Sequence, residues 1–209
     1  MKSYDLIIKN AQIHTMDEDR KVYAKGVIGI EGEKITLMKE MSELTLEELQ
    51  ECESAGQVID AEGKVVFPGF IDTHIHIFQS FLKGLGADHR LIEWLNLSAL
   101  PYGQYMTPHQ HELAAQLACM EAIKSGCTTM SEFFYTNQDP ELAHSCIDGM
   151  VSTGIRSVFI RTFQDTGEEY GMPKCFLEPA GKAMKEVDAL KKAYKENGML
   201  SIWTGPDVT

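Results

Sequence analysis

The fold is decided by the stretch Val65-Val66-Phe67-Pro68-Gly69-Phe70-Ile71-Asp72-Thr73-His74-Ile75-His76. An apolar run with β-branched residues predicts a buried strand, in which residues two apart point to the same side. His74 and His76 are therefore expected to aim together from the end of this strand. Two neutral imidazoles side by side suit a divalent ion such as zinc or iron. A catalytic zinc usually takes three protein ligands and a water, so at least one further ligand is expected elsewhere.

The residues around this histidine pair resemble a known family. The segment Pro68 to His76, preceded by short strands, is similar to the entry strand of the amidohydrolase superfamily. The segments Gln79-Ser80-Phe81-Leu82-Lys83-Gly84 and Leu91-Ile92-Glu93-Trp94-Leu95 resemble its heterocycle aminohydrolase and chlorohydrolase branch, which includes guanine deaminase, adenosylhomocysteine deaminase and triazine hydrolases. The resemblance implies a metal-dependent hydrolase built on a (β/α)8 barrel, and it is sharp only from Phe67 to Leu95.

Residues 1–66 carry a β pattern. Short apolar runs alternate there with turn signals, for example Leu6-Ile7-Ile8, Gly26-Val27-Ile28-Gly29-Ile30 and Lys34-Ile35-Thr36-Leu37. We predict that residues 1–66 form the N-terminal part of a small composite β-sandwich domain. The resemblance implies that strands from the far C-terminus complete it.

From residue 67 onward, strand patterns alternate with helix patterns, which predicts a parallel sheet with helices on its outer side. Thr107-Pro108 opens one helix, and its Leu113, Leu117 and Met120 are expected to face the core. A complete barrel needs ~250 residues, and residues 67–209 supply about four β/α units. The predicted fold class is therefore α/β, with the N-terminal half of a metal-dependent (β/α)8 TIM barrel following the sandwich domain. We expect a fragment, a truncated gene product or one piece of a split protein.

The resemblance implies that His74 and His76 hold one divalent metal ion, with zinc preferred and iron as the second candidate. Two histidines and an aspartate from later strands would complete the site, and a glutamate or histidine would shuttle protons. All of these are expected beyond Thr209, so no catalytic residue is assigned within the chain. The ion would activate water to attack an electron-poor ring carbon. Two-metal members carry a lysine at the end of strand four, and the segment from Met199 to Gly205 has none.

Three residues are candidates for substrate binding. Gln79 follows the histidine pair where similar deaminases carry a substrate-contacting glutamine, and its carboxamide can both donate and accept hydrogen bonds. The alternative is that Gln79 is a surface loop residue. Trp94 either walls a flat substrate or anchors the loop helix that carries it. Asp207 stands where adenosylhomocysteine-deaminase-like relatives tend to show histidine, so it favours a cationic or amine-rich ring or else caps the next helix.

Two other features receive structural interpretations. His109 and His111 form a second pair, but helical residues two apart face nearly opposite sides, so they cannot chelate one ion. Both are expected to be solvated residues at the start of a helix. Arg161 lies near the end of the third strand pattern, where Glu132 or Asp165 would be its partner inside the barrel mouth.

The net charge of the protein excludes some classes of binding partner. The net charge of −12 argues against binding to nucleic acid or an anionic membrane. The N-terminus lacks the apolar core of a secretory signal, no apolar run is long enough to cross a bilayer, and the five cysteines form no C-x-x-C pair. A cytoplasmic protein with reduced thiols is expected. Its partners would be a small heterocyclic substrate, the missing C-terminal half and, since members of the family often dimerise, a second copy.

The leading hypothesis is a metal-dependent aminohydrolase that acts on C–N bonds of a purine, pyrimidine, pterin or triazine. One alternative is a cyclic amidase of the dihydroorotase or hydantoinase kind, which usually uses two metals. Another is a catalytically incomplete fragment that serves as part of a larger assembly. This last alternative predicts weak metal binding by the isolated chain.

Overall fold

The computed structural model describes residues 3–206, which divide into two compact units between Pro68 and Gly69. The first unit is a mixed five-stranded sheet in which the strand order is β3–β2–β1–β4 and β5 also pairs with β1. Neighbouring strands are antiparallel in β1–β2 and β2–β3 and parallel in β1–β4 and β1–β5. The strands are β1 (Leu6–His14), β2 (Val22–Glu31), β3 (Lys34–Glu40), β4 (Gln57–Asp60) and β5 (Val65–Val66).

Helix α1 (Leu46–Glu53) covers one face of this sheet. It begins with a capping box, in which the Thr45 side chain accepts from the Glu48 N–H and the Glu48 side chain accepts from the Thr45 N–H. Cys52 on the helix packs in one apolar cluster with residues of the sheet. Residues 3–68 contain this one sheet, and a second sheet that would pack on it to make a sandwich is not among them. The composite sandwich stays a prediction.

The segment from Val65 to His76 contains two strands and not one. Val65 and Val66 form β5 in the first sheet, and β6 (Phe70–Ile75) belongs to the second. Pro68 has no N–H to donate to a ladder, so a continuous strand through it is disfavoured. At Gly69 an added Cβ would lie 2.1 Å from the Thr128 hydroxyl oxygen, so only glycine fits there. Because of this break, the residues before Pro68 and those after Gly69 belong to different sheets.

The second unit is a parallel four-stranded sheet in the order β6–β7–β8–β9. Its other strands are β7 (Cys127–Phe134), β8 (Arg156–Phe163) and β9 (Leu200–Pro206). One long helix connects each strand to the next: α4 (Pro108–Lys124), α5 (Pro140–Ser152) and α6 (Ala180–Ala193). Spatial order that follows chain order is typical of a barrel, whereas a doubly wound sheet reverses its order at the centre. The α/β prediction and its four-strand count are confirmed.

Short helical segments occupy the loops at the carboxyl ends of these strands. A 3-10 helix (Ile77–Leu82) follows β6, and a broken helix then runs through α2 (Leu91–Trp94), a π turn (Leu95–Ala99) and α3 (Leu100–Gly103). Two 3-10 turns, Glu168–Tyr170 and Lys174–Phe176, precede α6. Apolar residues of these segments and of the loops beside them form one cluster: Phe78, Leu82, Ala99, Leu100, Tyr135, Met172 and Phe176. No helix within residues 3–206 combines the length and the hydropathy that a membrane crossing requires.

Strands β6 and β9 are the two edges of this sheet. Phe70 and Ile71 on β6 are 63% and 66% exposed, and Trp203 on β9 is 57% exposed. A groove of about 560 Å³ runs beside β6 and is lined by residues of β6, α4 and β7. The sequence predicted a buried strand here, and that prediction is wrong for β6. Its residues are exposed because a strand that would pair with its outer edge is not among the described residues.

Helix α4 buries a different face from the one predicted. Leu113 and Met120 are largely exposed, and the buried residues are mainly small: His111, Ala114, Ala115, Ala118 and Cys119. The reason is the close approach of α5, because a Cβ added at Gly149 would lie 2.5 Å from the Glu112 carbonyl oxygen. Small side chains allow the two backbones to approach this closely, and large ones do not.

Replacing Gly149 with alanine is therefore expected to destabilise the protein. The added methyl group would also lie 2.8 Å from the Ala115 Cβ, and overpacking of this kind costs about 1–3 kcal/mol. Gly181 in α6 is the matched control, because an added Cβ there meets nothing within 4 Å. Gly181→Ala should stabilise by about 0.5 kcal/mol through helix propensity. Urea unfolding of both variants measures the difference, and equal stabilities would contradict the close packing.

Candidate metal centre

His74 and His76 bring their Nε2 atoms together at the carboxyl end of β6. His74 lies in the strand, and His76 follows its last residue with an extended backbone, so both side chains keep to one side. The Nε2 atoms are 3.3 Å apart and the rings stand at 85° to each other. Two nitrogens bound at about 2.1 Å to a tetrahedral ion would lie about 3.4 Å apart. The pair therefore fits two ligands of a single ion.

A backbone carbonyl fixes the tautomer of His76. Its Nδ1–H donates to the Phe133 carbonyl oxygen at 2.7 Å. A neutral imidazole that is protonated at Nδ1 leaves Nε2 as an acceptor, and second-shell bonds of this kind orient metal-binding histidines. The pKa of His76 is lowered, first because burial disfavours the imidazolium, although the Phe133 carbonyl opposes the shift. His76 is thus held neutral with its lone pair facing His74.

His74 is positioned from two sides. Its backbone N–H donates to the Asp72 carboxylate at 3.1 Å, a short local bond that stiffens the strand end. Its ring lies 5.0 Å from the ring of Phe133, centroid to centroid. Phe133 therefore contacts both histidines, with its carbonyl oxygen on one and its ring beside the other.

The pair is an incomplete site by itself. Within residues 3–206, no group of three or more His, Cys, Asp or Glu side chains could hold one ion. The donor set, two neutral imidazoles with converging Nε2 atoms, suits zinc or iron. The described residues supply half or less of the ligands that such an ion takes.

Gln79 is connected to the pair through Tyr135. Its Nε2 donates to the Tyr135 hydroxyl at 2.9 Å, and the Tyr135 ring meets His76 edge to face at 4.9 Å. Tyr135 is the residue that follows β7, and it was not among the residues predicted for the site. A signal does exist: β6 and β7 are consecutive parallel strands, so their carboxyl-terminal residues must meet at one edge.

Trp94 has a well-defined anchoring contact. Its indole N–H donates to the Leu85 carbonyl at 2.9 Å, and its ring packs on Gly86 and beside the apolar cluster of the loops. These contacts hold the loop between the 3-10 helix and α2. Of the two interpretations of Trp94, they favour the anchor. Asp207 lies outside the described residues.

Glu132 is a buried carboxylic acid behind the histidine pair, where the sequence predicted only a candidate pairing with Arg161. It lies on the side of β7 that carries Met130 and Phe134, which pack against the helices. One carboxyl oxygen accepts from the Ile77 N–H at 2.7 Å, and the other has no hydrogen-bond partner among the described residues. Burial raises the pKa of Glu132 to about 8, so the neutral acid predominates at neutral pH.

The raised pKa predicts a pH-dependent stability. An unfolded glutamate ionises near pH 4.5, whereas the folded one holds its proton up to about pH 8. The folded state binds more protons between these values, so its contribution is complete below the lower value and is lost as pH rises. The expected slope is about 1.4 kcal/mol per pH unit. Urea unfolding across this range should show the loss in the parent and not in Glu132→Gln, and parallel curves would contradict it.

Arg161 does not face the barrel mouth, so the predicted pairing with Glu132 or Asp165 is wrong. Its guanidinium is 1% exposed and forms ion pairs with Glu178, before α6, and with Glu186, in α6. Arg161 shares the helix-facing side of β8 with the buried Phe159, because residues two apart on a strand face the same way. The network fastens the end of β8 to α6.

His111 was predicted to be solvated, and that prediction is wrong, because the residue is buried. Its Nδ1–H donates to the Thr107 carbonyl, and the Thr136 hydroxyl donates to its Nε2 at 2.8 Å. His109 is 75% exposed, so the two rings lie on different sides of the helix and do not chelate together, as expected. Burial lowers the pKa of His111, which keeps the ring neutral for these two bonds.

Known proteins are similar to this chain in sequence and in fold. Residues 65–207 match the sequence profile of the amidohydrolase family. Over 201 residues the chain is 30% identical to a 5-methylthioadenosine/S-adenosylhomocysteine deaminase of Bacillus cereus (strain AH820), covering 94% of this chain and 42% of that protein. The chain thus spans less than half the length of this relative.

Solved structures share the fold. An atrazine chlorohydrolase from Arthrobacter aurescens TC1, complexed with zinc, superposes with a TM-score of 0.79 at 20% identity, over 98% of this chain and 47% of that one. A guanine deaminase from C. acetobutylicum, with bound guanine in its active site, superposes with a TM-score of 0.78 at 18% identity, over 97% and 46%. At these identities the likeness concerns the fold.

Proposed function

The chain belongs to the amidohydrolase family, and from that premise we propose that it is the N-terminal, metal-binding part of a hydrolase acting on C–N bonds of a nitrogen heterocycle. The substrate would be a purine, pyrimidine, pterin or triazine that carries an amine or a similar leaving group. One observation carries the proposal, namely the two Nε2 atoms held 3.3 Å apart. That arrangement suits two ligands of one divalent ion.

We propose one ion, with zinc preferred and iron as the second candidate. When bound, a divalent ion supplies Lewis acidity toward water at neutral pH. The protein's part is to keep both imidazoles neutral and convergent, through the Phe133 carbonyl and the burial of His76. Within residues 3–206 no third ligand joins the pair. The remaining ligands and the proton-transfer groups would therefore come from outside these residues.

Gln79 is the residue proposed to read the substrate. Its amide is half-buried beside the histidine pair, and its bond to Tyr135 orients it. With Nε2 engaged by the tyrosine, the amide oxygen remains to accept a hydrogen bond from a ring N–H or an exocyclic amine. For Trp94 we propose, in addition to its anchoring contact, that its ring forms a wall beside a flat substrate. For Asp207 we propose that its carboxylate favours a cationic or amine-rich ring.

The two units have separate roles in this proposal. Residues 1–66 would be the N-terminal part of a composite sandwich domain, and residues 67–209 would be the first half of the barrel. The open edges of β6 and β9 would pair with the strands of the other half, which buries Phe70, Ile71 and Trp203. The first proposed partner of this chain is therefore the C-terminal half. The second is another copy of the complete enzyme, in a homodimer.

The test is metal binding and turnover measured together. Purified chain is titrated with zinc and then incubated with guanine, adenosine, a pterin and an amino-triazine, and released ammonia is measured. We expect weak zinc binding without turnover, and turnover in a chain extended by the strands that complete the barrel. Turnover by the 209-residue chain alone would contradict the claim that ligands are missing. Two metals per extended chain would favour the cyclic amidase instead.

A second candidate function is that of a non-catalytic assembly subunit. The observation that favours it is the absence, within residues 3–206, of a third ligand for the pair. This candidate predicts no zinc binding at micromolar concentrations and stable association with a partner that covers both sheet edges. Size-exclusion chromatography with light scattering, with and without zinc, separates the two functions.

A further inference from the structure

A side chain of β7 holds the backbone directly after the histidine pair. Ile77 is fully buried and begins the 3-10 helix that follows His76, so its N–H has no partner within that helix. The Glu132 carboxyl oxygen accepts it at 2.7 Å. A buried N–H that lost this acceptor would carry the full cost of its desolvation.

The next residue along β7 holds the histidine itself. The Phe133 carbonyl accepts from Nδ1 of His76 at 2.7 Å. Two consecutive residues, Glu132 and Phe133, therefore hold two consecutive residues, Ile77 and His76. The first bond fixes the backbone from the helical side of the sheet, and the second fixes the ring at the strand end.

The carboxyl group of Glu132 serves here as an acceptor and not as a charge. No cation lies within ion-pair distance of it among the described residues, and its second oxygen has no hydrogen-bond partner there. Its raised pKa agrees with a neutral acid at neutral pH. A glutamine would keep the acceptor oxygen in place, whereas a methionine of similar size would remove it.

We propose that Glu132 is a positioning residue, which holds the Ile77 N–H so that His76 keeps Nδ1 on the Phe133 carbonyl and Nε2 toward His74. This inference rests on the proposed metal-binding function of the pair. It differs from a merely stabilising role, because a stabilising core residue would not determine which ring nitrogen of His76 carries the proton.

The experiment compares Glu132→Met with Glu132→Gln at neutral pH. Long-range ¹H–¹⁵N spectra report the His76 tautomer, hydrogen exchange reports the Ile77 amide, and titration with Zn²⁺ alone reports affinity. We expect the parent and Glu132→Gln to keep the Nδ1–H tautomer. In Glu132→Met the Nε2–H form should appear, the Ile77 amide should exchange at least about tenfold faster, and zinc affinity should fall by about 10- to 100-fold.

Two further variants complete the test. Met130→Val changes the same face of the same strand and leaves the Glu132 acceptor of the Ile77 N–H in place, so it should leave the His76 tautomer unchanged. Glu132→Asp withdraws the carboxyl by one methylene and should shift the tautomer in the same direction as Glu132→Met, which decides the case if Glu132→Met does not fold.

An unchanged tautomer and Ile77 exchange in Glu132→Met or Glu132→Asp would overturn the proposal, as would equal changes in Met130→Val. If the tautomer responds as expected but the parent binds no zinc, the positioning role stands and the proposed function fails.

Discussion

Replacing His76 with alanine is expected to lower the affinity of the protein for Zn²⁺ by about 100-fold, equivalent to about 2.7 kcal/mol. The expected reason is chelation: the two Nε2 atoms lie 3.3 Å apart, so both could bind one ion without rearrangement. Removing either leaves a single imidazole, which competes poorly with water. His74→Ala should have the same effect, because the ligands act as a pair. Competition against a chromophoric zinc chelator measures both affinities.

His109→Ala is the matched control for this prediction. The His109 side chain is 75% exposed on α4 and contributes nothing to the pair. Its loss should change zinc affinity by less than about twofold, within the additivity expected for distant sites. If His109→Ala weakened zinc binding as much as His76→Ala, the ion would be bound by surface histidines, and the metal centre described above would be wrong.

Replacing Arg161 with methionine should destabilise the protein by about 3–5 kcal/mol, because removing one partner of a buried ion pair leaves an uncompensated charge. Arg161 and Glu178 are 1% and 4% exposed in their side chains. Without the guanidinium, the one cation left beside the Glu178 carboxylate among residues 3–206 would be Lys182, which lies 3.4 Å away and is half exposed. Urea unfolding, followed by circular dichroism, measures the loss.

Lys182→Met provides the comparison within the same network. Lys182 contacts Glu178 and Glu186, but its side chain is 53% exposed, and solvent screens such pairs. The expected cost is about 0–1 kcal/mol. Similar costs for the two variants would mean that burial does not govern this network, and the assignment of Arg161 as the main tie between β8 and α6 would fail.

Local rules predicted the parts of the fold that depend on near neighbours in sequence. The alternation of strand and helix patterns predicted the parallel sheet, and Thr107 and Pro108 predicted where α4 begins. His74 and His76 were placed on one side because a strand repeats every two residues. Each of these inferences needs only the residues within one element.

What the sequence did not predict depends on contacts between elements. The carbonyl that receives His76 belongs to Phe133, 57 residues away, and the register of β6 on β7 contains shifts that no periodicity reveals. The buried face of α4 follows from the approach of Gly149, and the direction of Arg161 follows from acidic residues near α6. The sequence pattern alone does not distinguish between these alternatives, and contacts between elements determine which of them forms.

The spatial order of the second sheet also bears on how the protein is made. Each of β7, β8 and β9 pairs with the strand synthesised just before it, and chains grow at about 5–20 residues per second, with N-terminal parts folding first. All atoms that orient the histidine pair lie between residues 72 and 133. The histidine pair can therefore take up this arrangement as soon as β7 has emerged from the ribosome, before β8 and β9 emerge.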